Sequence, residues 1–311
     1  MDVSVVIPCY RSRDSLEALV DGLSQTLQTH ADRFEIVLVV DGSPDDTAAV
    51  AERLAATRPY LRVLLLRRNY GQHNALLAGI RAVTYDVTVT MDDDLQHPPS
   101  ELPTLLAALA DPSVDLVYGI PELEEHGVLR SFGSRSVKAA LAASGVPNAR
   151  DVSAFRAFRT PLREAFETVQ DSSANVDVML SWATMSVVGV RVRMDRRPNG
   201  RSGYSPARLV RHSFNMITGY SDAPLRLVSY LGFSCALLGL VLLCVVVIGF
   251  VTGRTTVAGF TTVASMIALF SGAQMLSIGI LGEYLGRLHF RSMGRPTYVV
   301  AREITGGTAQ D

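Results

Sequence analysis

Between Arg226 and Arg254 the chain carries no charged residue, and a second uncharged run extends from Thr255 to Gly282. A helix needs about 20 apolar residues to cross a bilayer, so each run is long enough to do so. The other way to hide such runs is a buried core hairpin, but two in succession are hard to enclose in a chain of 311 residues. Arg208, Arg211 and Arg226 precede the first run, Arg287, Arg291 and Arg295 follow the second, and only Arg254 marks the turn between them. Basic flanks face the cytoplasm, which predicts that both chain ends lie there. Within the second run Ala264, Ala268 and Gly272 recur at four-residue spacing, a small-residue stripe that lets helices approach within the hairpin or between protomers.

The rest of the chain is bounded by composition. At 48% hydrophobic residues and a mean hydropathy of +0.22, the protein is too apolar for a purely soluble enzyme of this size. Lys and Arg number 29 against 30 Asp and Glu, so no overall field points to a nucleic-acid partner. Cys9, Cys235 and Cys244 lack metal-type spacing and predict no disulfide framework. Met1 to Pro8 has no basic region ahead of its apolar run, so it reads as a first strand, with the amino-terminal part in the cytosol.

Up to about residue 120, short β-branched runs at 3–8, 35–41, 62–66, 87–92 and 115–120 alternate with amphipathic stretches near 13–29, 45–57, 73–84 and 100–110. Near-continuous apolar strands separated by helices predict a mostly parallel sheet covered on both faces. Ligands of such sheets sit beyond the carboxyl ends of the strands. The polar residues at those ends are Pro8-Cys9-Tyr10, Asp41-Gly42-Ser43, Arg67 to Gly71 and Asp92 to Gln96, which converge on one cleft.

The last of these groups carries the strongest chemical signal. Met91-Asp92-Asp93-Asp94-Leu95-Gln96-His97-Pro98-Pro99 places three carboxylates and an amide directly after the alternation Val87-Thr88-Val89-Thr90. Oxygen donors at this spacing suit Mg²⁺ or Mn²⁺, and such an ion can grip a pyrophosphate. The same run also suits an acidic turn capping a helix that starts near Ser100. Between 126 and 225 the chain is less regular and basic, with Arg130, Arg135, Lys138, Arg150, Arg156, Arg159, Arg191, Arg193, Arg196, Arg197, Arg201, Arg208 and Arg211. The cluster reads as a surface facing phosphate, although any one of these arginines also suits a solvated face. Pro206 to Ile217 combines helical apolar spacing with a basic face, as an interfacial helix does. Neither a Gly-x-Gly-x-x-Gly turn nor a Gly-Lys-Ser/Thr loop is present, which excludes dehydrogenase and ATPase readings.

A cation-binding acidic turn, a basic half-domain and an apolar hairpin together ask for a reaction between a soluble diphosphate donor and a lipid acceptor. The segments that carry a family resemblance are Val5 to Tyr10, Val40 to Thr47, Arg68 to Ala75, Met91 to Pro99, Phe155 to Arg159, Arg201 to Ser205, Pro224 to Arg226 and Leu281 to Arg287. They resemble the family 2 glycosyltransferases of GT-A fold, and the whole chain resembles the polyprenyl-phosphate branch, relatives of dolichyl-phosphate-mannose synthase and of the bacterial undecaprenyl-phosphate sugar transferases.

The resemblance implies a cytosolic GT-A catalytic domain over 1–204, an amphipathic juxtamembrane helix over 205–225, a transmembrane hairpin over 226–286 and a cytosolic tail over 287–311. It implies a metal-dependent, inverting transfer of sugar from a nucleotide-diphosphate sugar, a UDP-sugar, to a polyprenyl phosphate at the inner-membrane surface, for cell-envelope glycosylation. The metal, Mg²⁺ or Mn²⁺, falls to Asp92, Asp94 and Gln96. The nucleotide sugar falls to Pro8, Tyr10, Asp41, Asp92, Asp93 and Gln96. The acceptor phosphate falls to Arg130, Arg135, Arg156, Arg201 and Ser202, with Asp92, Asp94, Arg156 and Arg201 as the catalytic set. A homo-oligomer, dimer or tetramer, is implied as well. The chain departs from the family pattern where Arg11-Ser12 replaces a common Asn-Glu, where Val40 replaces a common aspartate, and where Gly203 replaces a common lysine. Competing expectations are a processive polysaccharide synthase, whose Gln-x-x-Arg-Trp pattern is missing since the only tryptophan is Trp182, and a non-catalytic membrane sugar-lipid binding protein.

Overall fold

A computed structural model of the protein describes residues 1–122, 152–170, 174–195, 223–253, 260–294 and 296–307. The amino-terminal elements run β1 (Asp2–Cys9), α1 (Leu16–His30), β2 (Arg33–Val40), α2 (Thr47–Thr57), β3 (Leu61–Leu66), α3 (Gln72–Ala82), β4 (Val87–Thr90), α4 (Leu102–Leu109) and β5 (Leu116–Pro121). After them come β6 (Arg156–Arg159), α5 (Val176–Ala183), β7 (Val187–Val192), α6 (Ala223–Val251), α7 (Phe260–Ser292) and β8 (Val300–Thr305). The five expected strands and four expected helices of the first 120 residues are all present, with ends shifted by at most three residues.

The strands form one sheet in the order β7-β5-β6-β4-β1-β2-β3-β8. β1, β2, β3 and β4 pair in parallel, as do β5 and β7. β6 lies antiparallel between β4 and β5, and β8 lies antiparallel on β3. The sheet is therefore mixed, with the expected parallel centre and two antiparallel additions that no local pattern announced.

Alternation along β1 explains why the strand reads as a continuous apolar run. Val3, Val5, Ile7 and Cys9 enter the cluster beneath α1, α2 and α4, while Val6 enters the opposite cluster with α3 and α5. Both faces are buried, so both parities must be apolar. Gly79 lets α3 settle onto the second face, since a Cβ there would lie 2.3 Å from Val6 Cγ1.

The chain divides into two compact units, 1–213 with 294–311 and 214–293. Residues 287–311, expected as a tail, contribute β8 to the first unit: Val63 pairs with Ile304 and Leu65 with Arg302. An ion pair between Arg62 Nε and Glu303 (2.5 Å) and another between Arg302 and Glu52 fasten the strand. In the second unit α6 and α7 are 29 and 33 residues long. A Cβ on Gly239 would sit 3.6 Å from the Phe270 ring, so the two helices touch there. α6 exposes Leu231, Phe233, Leu237, Leu240, Val245 and Ile248. Among the described residues, which leave out several positions of each long helix, no helix is long and apolar enough to cross a membrane. The segment 206–217, expected as an interfacial helix, lies outside the described residues.

Candidate active site

Four strand ends meet in one cleft of about 250 Å³. β1 supplies Pro8 and Cys9 and leads into Tyr10; β2 leads into Asp41; the β3–α3 loop brings Asn69 and Gly71, and α3 opens with Gln72; β4 leads into Asp92, Asp93 and Asp94. Their convergence follows from the parallel centre of the sheet, which puts every one of these carboxyl ends on the same side.

The three acids of the β4 turn have different partners. Asp92 Oδ1 accepts from Gln72 Nε2 at 2.6 Å. Asp93 Oδ2 accepts from Tyr10 N–H at 3.1 Å and from the Ser12 hydroxyl. Asp94 Oδ1 accepts from Gln96 N–H at 3.1 Å, closing a turn in which Leu95 takes the left-handed conformation at φ 59°. Such a conformation in a residue with a Cβ is costly and is tolerated where the surroundings enforce it. Gln96 is not among the cleft-lining residues; its carbonyl accepts from Asp195 N–H at 2.9 Å. Burial raises the Asp93 pKa, opposed by the hydrogen bonds from Ser12 and Tyr10. His97, 5% exposed and stacked on Phe155 with ring centroids 5.1 Å apart, is held below the ordinary imidazole value by burial.

Asp41 anchors the neighbouring loop. Its two carboxylate oxygens accept from Tyr70 N–H at 2.7 Å and Gly71 N–H at 2.8 Å. Burial raises its pKa, and these two bonds oppose the rise. The approach of the two strand ends requires Gly42, which has φ +56° and whose Cβ, if present, would lie 2.3 Å from the Arg68 carbonyl carbon.

The chemistry of the donors fits a divalent cation. Among the described residues, no three His, Cys, Asp or Glu side chains form a ready-made metal group. Mg²⁺, however, is usually held by one or two carboxylates together with substrate phosphates and water. Asp92 and Asp94, two carboxylates lining one cleft, meet that requirement for an ion that arrives with a diphosphate.

The structure corrects the expectation for Arg156. Paired with Thr90 across β4 and β6, it is 1% exposed and does not line the cleft. Its Nε donates to Thr90 Oγ1 at 2.8 Å, and its Nη1 donates to Asp177 on α5. Tyr118 donates its hydroxyl to the same Asp177 Oδ1 at 3.1 Å. The guanidinium is paired inside the core, apart from the cleft lining. Two other arginines of the basic stretch donate to backbone carbonyls: Arg159 to Val114 O and Asp111 O, and Arg191 to Pro121 O. Arg130, Arg135, Arg201 and Ser202 lie outside the described residues. Gln72 and Ser12 are not among the expected site residues. Ser12 reaches Asp93 across 81 residues, and no local pattern signals such a contact.

Residues 4–151 match the model of the family "Glycosyl transferase family 2". An undecaprenyl-phosphate 4-deoxy-4-formamido-L-arabinose transferase of Pseudomonas savastanoi pv. phaseolicola is 35% identical over 307 residues, covering 97% of this chain and 90% of the relative. The protein of the same description from Klebsiella pneumoniae subsp. pneumoniae is 33% identical over 306 residues, covering 97% and 93%. Among solved structures, glucosyl-3-phosphoglycerate synthase from Mycobacterium tuberculosis, crystallised with Mn²⁺, UDP and phosphoglyceric acid, superposes with a TM-score of 0.52 at 19% identity, covering 70% of this chain and 76% of that one. Mannosyl-3-phosphoglycerate synthase from Rubrobacter xylanophilus gives 0.53 at 16%, covering 73% and 74%. The overall fold agrees with these likenesses, and the chain belongs to glycosyl transferase family 2, in its GT-A-fold, polyprenyl-phosphate branch.

Proposed function

We propose that the protein transfers a sugar from a UDP-sugar to a polyprenyl phosphate at the cytosolic face of the inner membrane, with inversion at the anomeric carbon. The observation that carries this reading is the pair Asp92 and Asp94 at the carboxyl end of β4, in one cleft with Tyr10 and Asp41. Asp92 and Asp94 would hold Mg²⁺ or Mn²⁺, which when bound neutralises the charge growing on the leaving diphosphate. Gln96 fixes the Asp94 carboxylate through its N–H. Tyr10 and Pro8 border the nucleotide, and Asp41 holds the β3–α3 loop against it.

Deprotonation needs no strong base. A phosphate monoester with a second pKa near 6 is already largely dianionic at neutral pH. The residues therefore act by placing donor and acceptor and by stabilising charge. Arg201, with Ser202, Arg130 and Arg135, is assigned to the acceptor phosphate on residue chemistry alone, since the guanidinium fork matches phosphate oxygens.

Membrane insertion of α6 and α7 is supported by the uncharged runs from 227 to 253 and from 255 to 282 and by the apolar side chains α6 exposes. Both ends of 214–293 join the same folded unit, so a spanning segment must cross the bilayer an even number of times. Dimers or tetramers are part of the same reading, through the stripe at Ala264, Ala268 and Gly272.

The test is a radiolabel transfer assay in detergent. Undecaprenyl phosphate is offered with UDP-4-deoxy-4-formamido-L-arabinose, UDP-glucose and GDP-mannose, with Mn²⁺ or with chelator. Metal-dependent labelling of the lipid from a UDP-sugar is expected; labelling with chelator present, or from GDP-mannose only, refutes the assignment.

A further inference from the structure

Asp93 stands in sequence between the two carboxylates assigned to the cation, yet its bonds run elsewhere. A single oxygen, Oδ2, accepts both Tyr10 N–H and the Ser12 hydroxyl. Between those two donors Arg11 takes the left-handed conformation at φ 60°, which a residue with a Cβ adopts only under constraint. The far side of the turn is tied as well: Arg11 N–H donates to Ser43 Oγ at 2.8 Å and Ser12 N–H to Thr47 Oγ1 at 2.9 Å. Ser43 and Thr47 in turn donate to Asp45 Oδ1. The turn is thus clamped between the β2–α2 segment and Asp93. What it presents is the Tyr10 ring, 43% exposed at the cleft, with the Arg11 guanidinium 5.6 Å from its centroid. An exposed aromatic face of this kind is a stacking platform for a nucleobase.

We propose that Asp93 is a positioning residue for the nucleotide half of the donor: as a hydrogen-bond acceptor to Tyr10 and Ser12 it fixes the turn that offers the Tyr10 ring, and its charge does not serve the metal. The inference rests on the nucleotide-sugar reading of the cleft. It has a sharp consequence, because both donors converge on one oxygen. An amide oxygen can accept both, so asparagine should replace Asp93, whereas it cannot replace a metal-binding carboxylate.

The experiment compares full-length wild type, Asp93→Ala, Asp93→Asn, Ser12→Ala and Asp94→Asn in detergent. UDP binding is titrated at saturating Mn²⁺, and Mn²⁺ binding is measured separately. Asp93→Ala is expected to weaken UDP about tenfold, the scale of one lost stacking contact, and Ser12→Ala a few-fold. Asp93→Asn should stay within about twofold of wild type, and none of these three should change Mn²⁺ affinity as Asp94→Asn does. Asp93→Asn as weak as Asp93→Ala overturns the inference, as does a loss of Mn²⁺ in either, or unchanged UDP binding in both Asp93→Ala and Ser12→Ala. Should Asp93→Ala fail to fold, Asp93→Asn and Ser12→Ala still decide. Wild type that binds no UDP removes the underlying reading, and the inference with it.

Discussion

Replacing Asp177 by Leu leaves the Arg156 guanidinium charged in a site where that side chain is 1% exposed. Breaking one side of a buried ion pair costs about 3–5 kcal/mol, mostly because the remaining charge is stranded. At about 2–4 °C per kcal/mol for a unit of this size, the melting midpoint should fall by roughly 6–20 °C. Trp182 provides the assay: it is the only tryptophan, and it lies on α5, the helix whose first turn carries Asp177. Its emission therefore follows the loss of this part of the core during a thermal ramp in detergent. Arg156→Met together with Asp177→Leu removes both charges but leaves the Tyr118 hydroxyl without its acceptor. Adding Tyr118→Phe removes that orphan as well, and the triple variant should melt within about 1–2 kcal/mol of wild type. The reasoning fails if Asp177→Leu alone melts with wild type. It fails equally if Arg156→Met keeps the full midpoint while losing acceptor binding, since that is how a phosphate clamp would behave.

Three further outcomes are expected. Asp94→Asn should lower transfer by at least about a hundredfold while the fluorescence melt stays within about 1 kcal/mol of wild type, because the residue serves the cleft and not the core; normal turnover would exclude it as a metal ligand. Gly42→Ala should destabilise by about 2–4 kcal/mol, since φ +56° and a Cβ 2.3 Å from Arg68 backbone combine strain with overpacking, and a melt unchanged from wild type would contradict this. Burial holds the His97 pKa low, so the unfolded chain takes up a proton that the folded protein resists. Stability is therefore full above the ordinary value of 6.5 and declines as pH falls below it, by at most about 1.4 kcal/mol per pH unit; His97→Leu should flatten that decline, and an identical slope in the variant would refute the assignment.

What could be read from the sequence was what local pattern encodes. β1 to β5 announce themselves because each is a short run rich in β-branched or apolar residues and largely buried, and the polar strand ends follow from the parallel order of β1 to β4. β6 does not: Arg156–Arg159 has a charge at each end and two apolar residues between, and it is a strand because a slot exists between β4 and β5. Arg156 misled for the same reason. An arginine in a basic stretch resembles a phosphate ligand until Asp177, 21 residues on, is seen to neutralise it. The acid turn could be read as an oxygen-rich strand end, but the separate partners of its carboxylates could not, since those of Asp93 come from the turn after β1 and that of Asp92 from α3.

β8 has a consequence for how the molecule is made. Among the described residues, the outer edge of β3 is covered by residues 300–305, which leave the ribosome after the whole of α6 and α7. An uncovered sheet edge is a template for wrong pairing, so during synthesis that ladder stands open until the apolar hairpin has been dealt with. The last strand to arrive thus covers β3 and becomes the edge itself, and a polypeptide arrested within the hairpin would leave β3 available to a neighbour's strand.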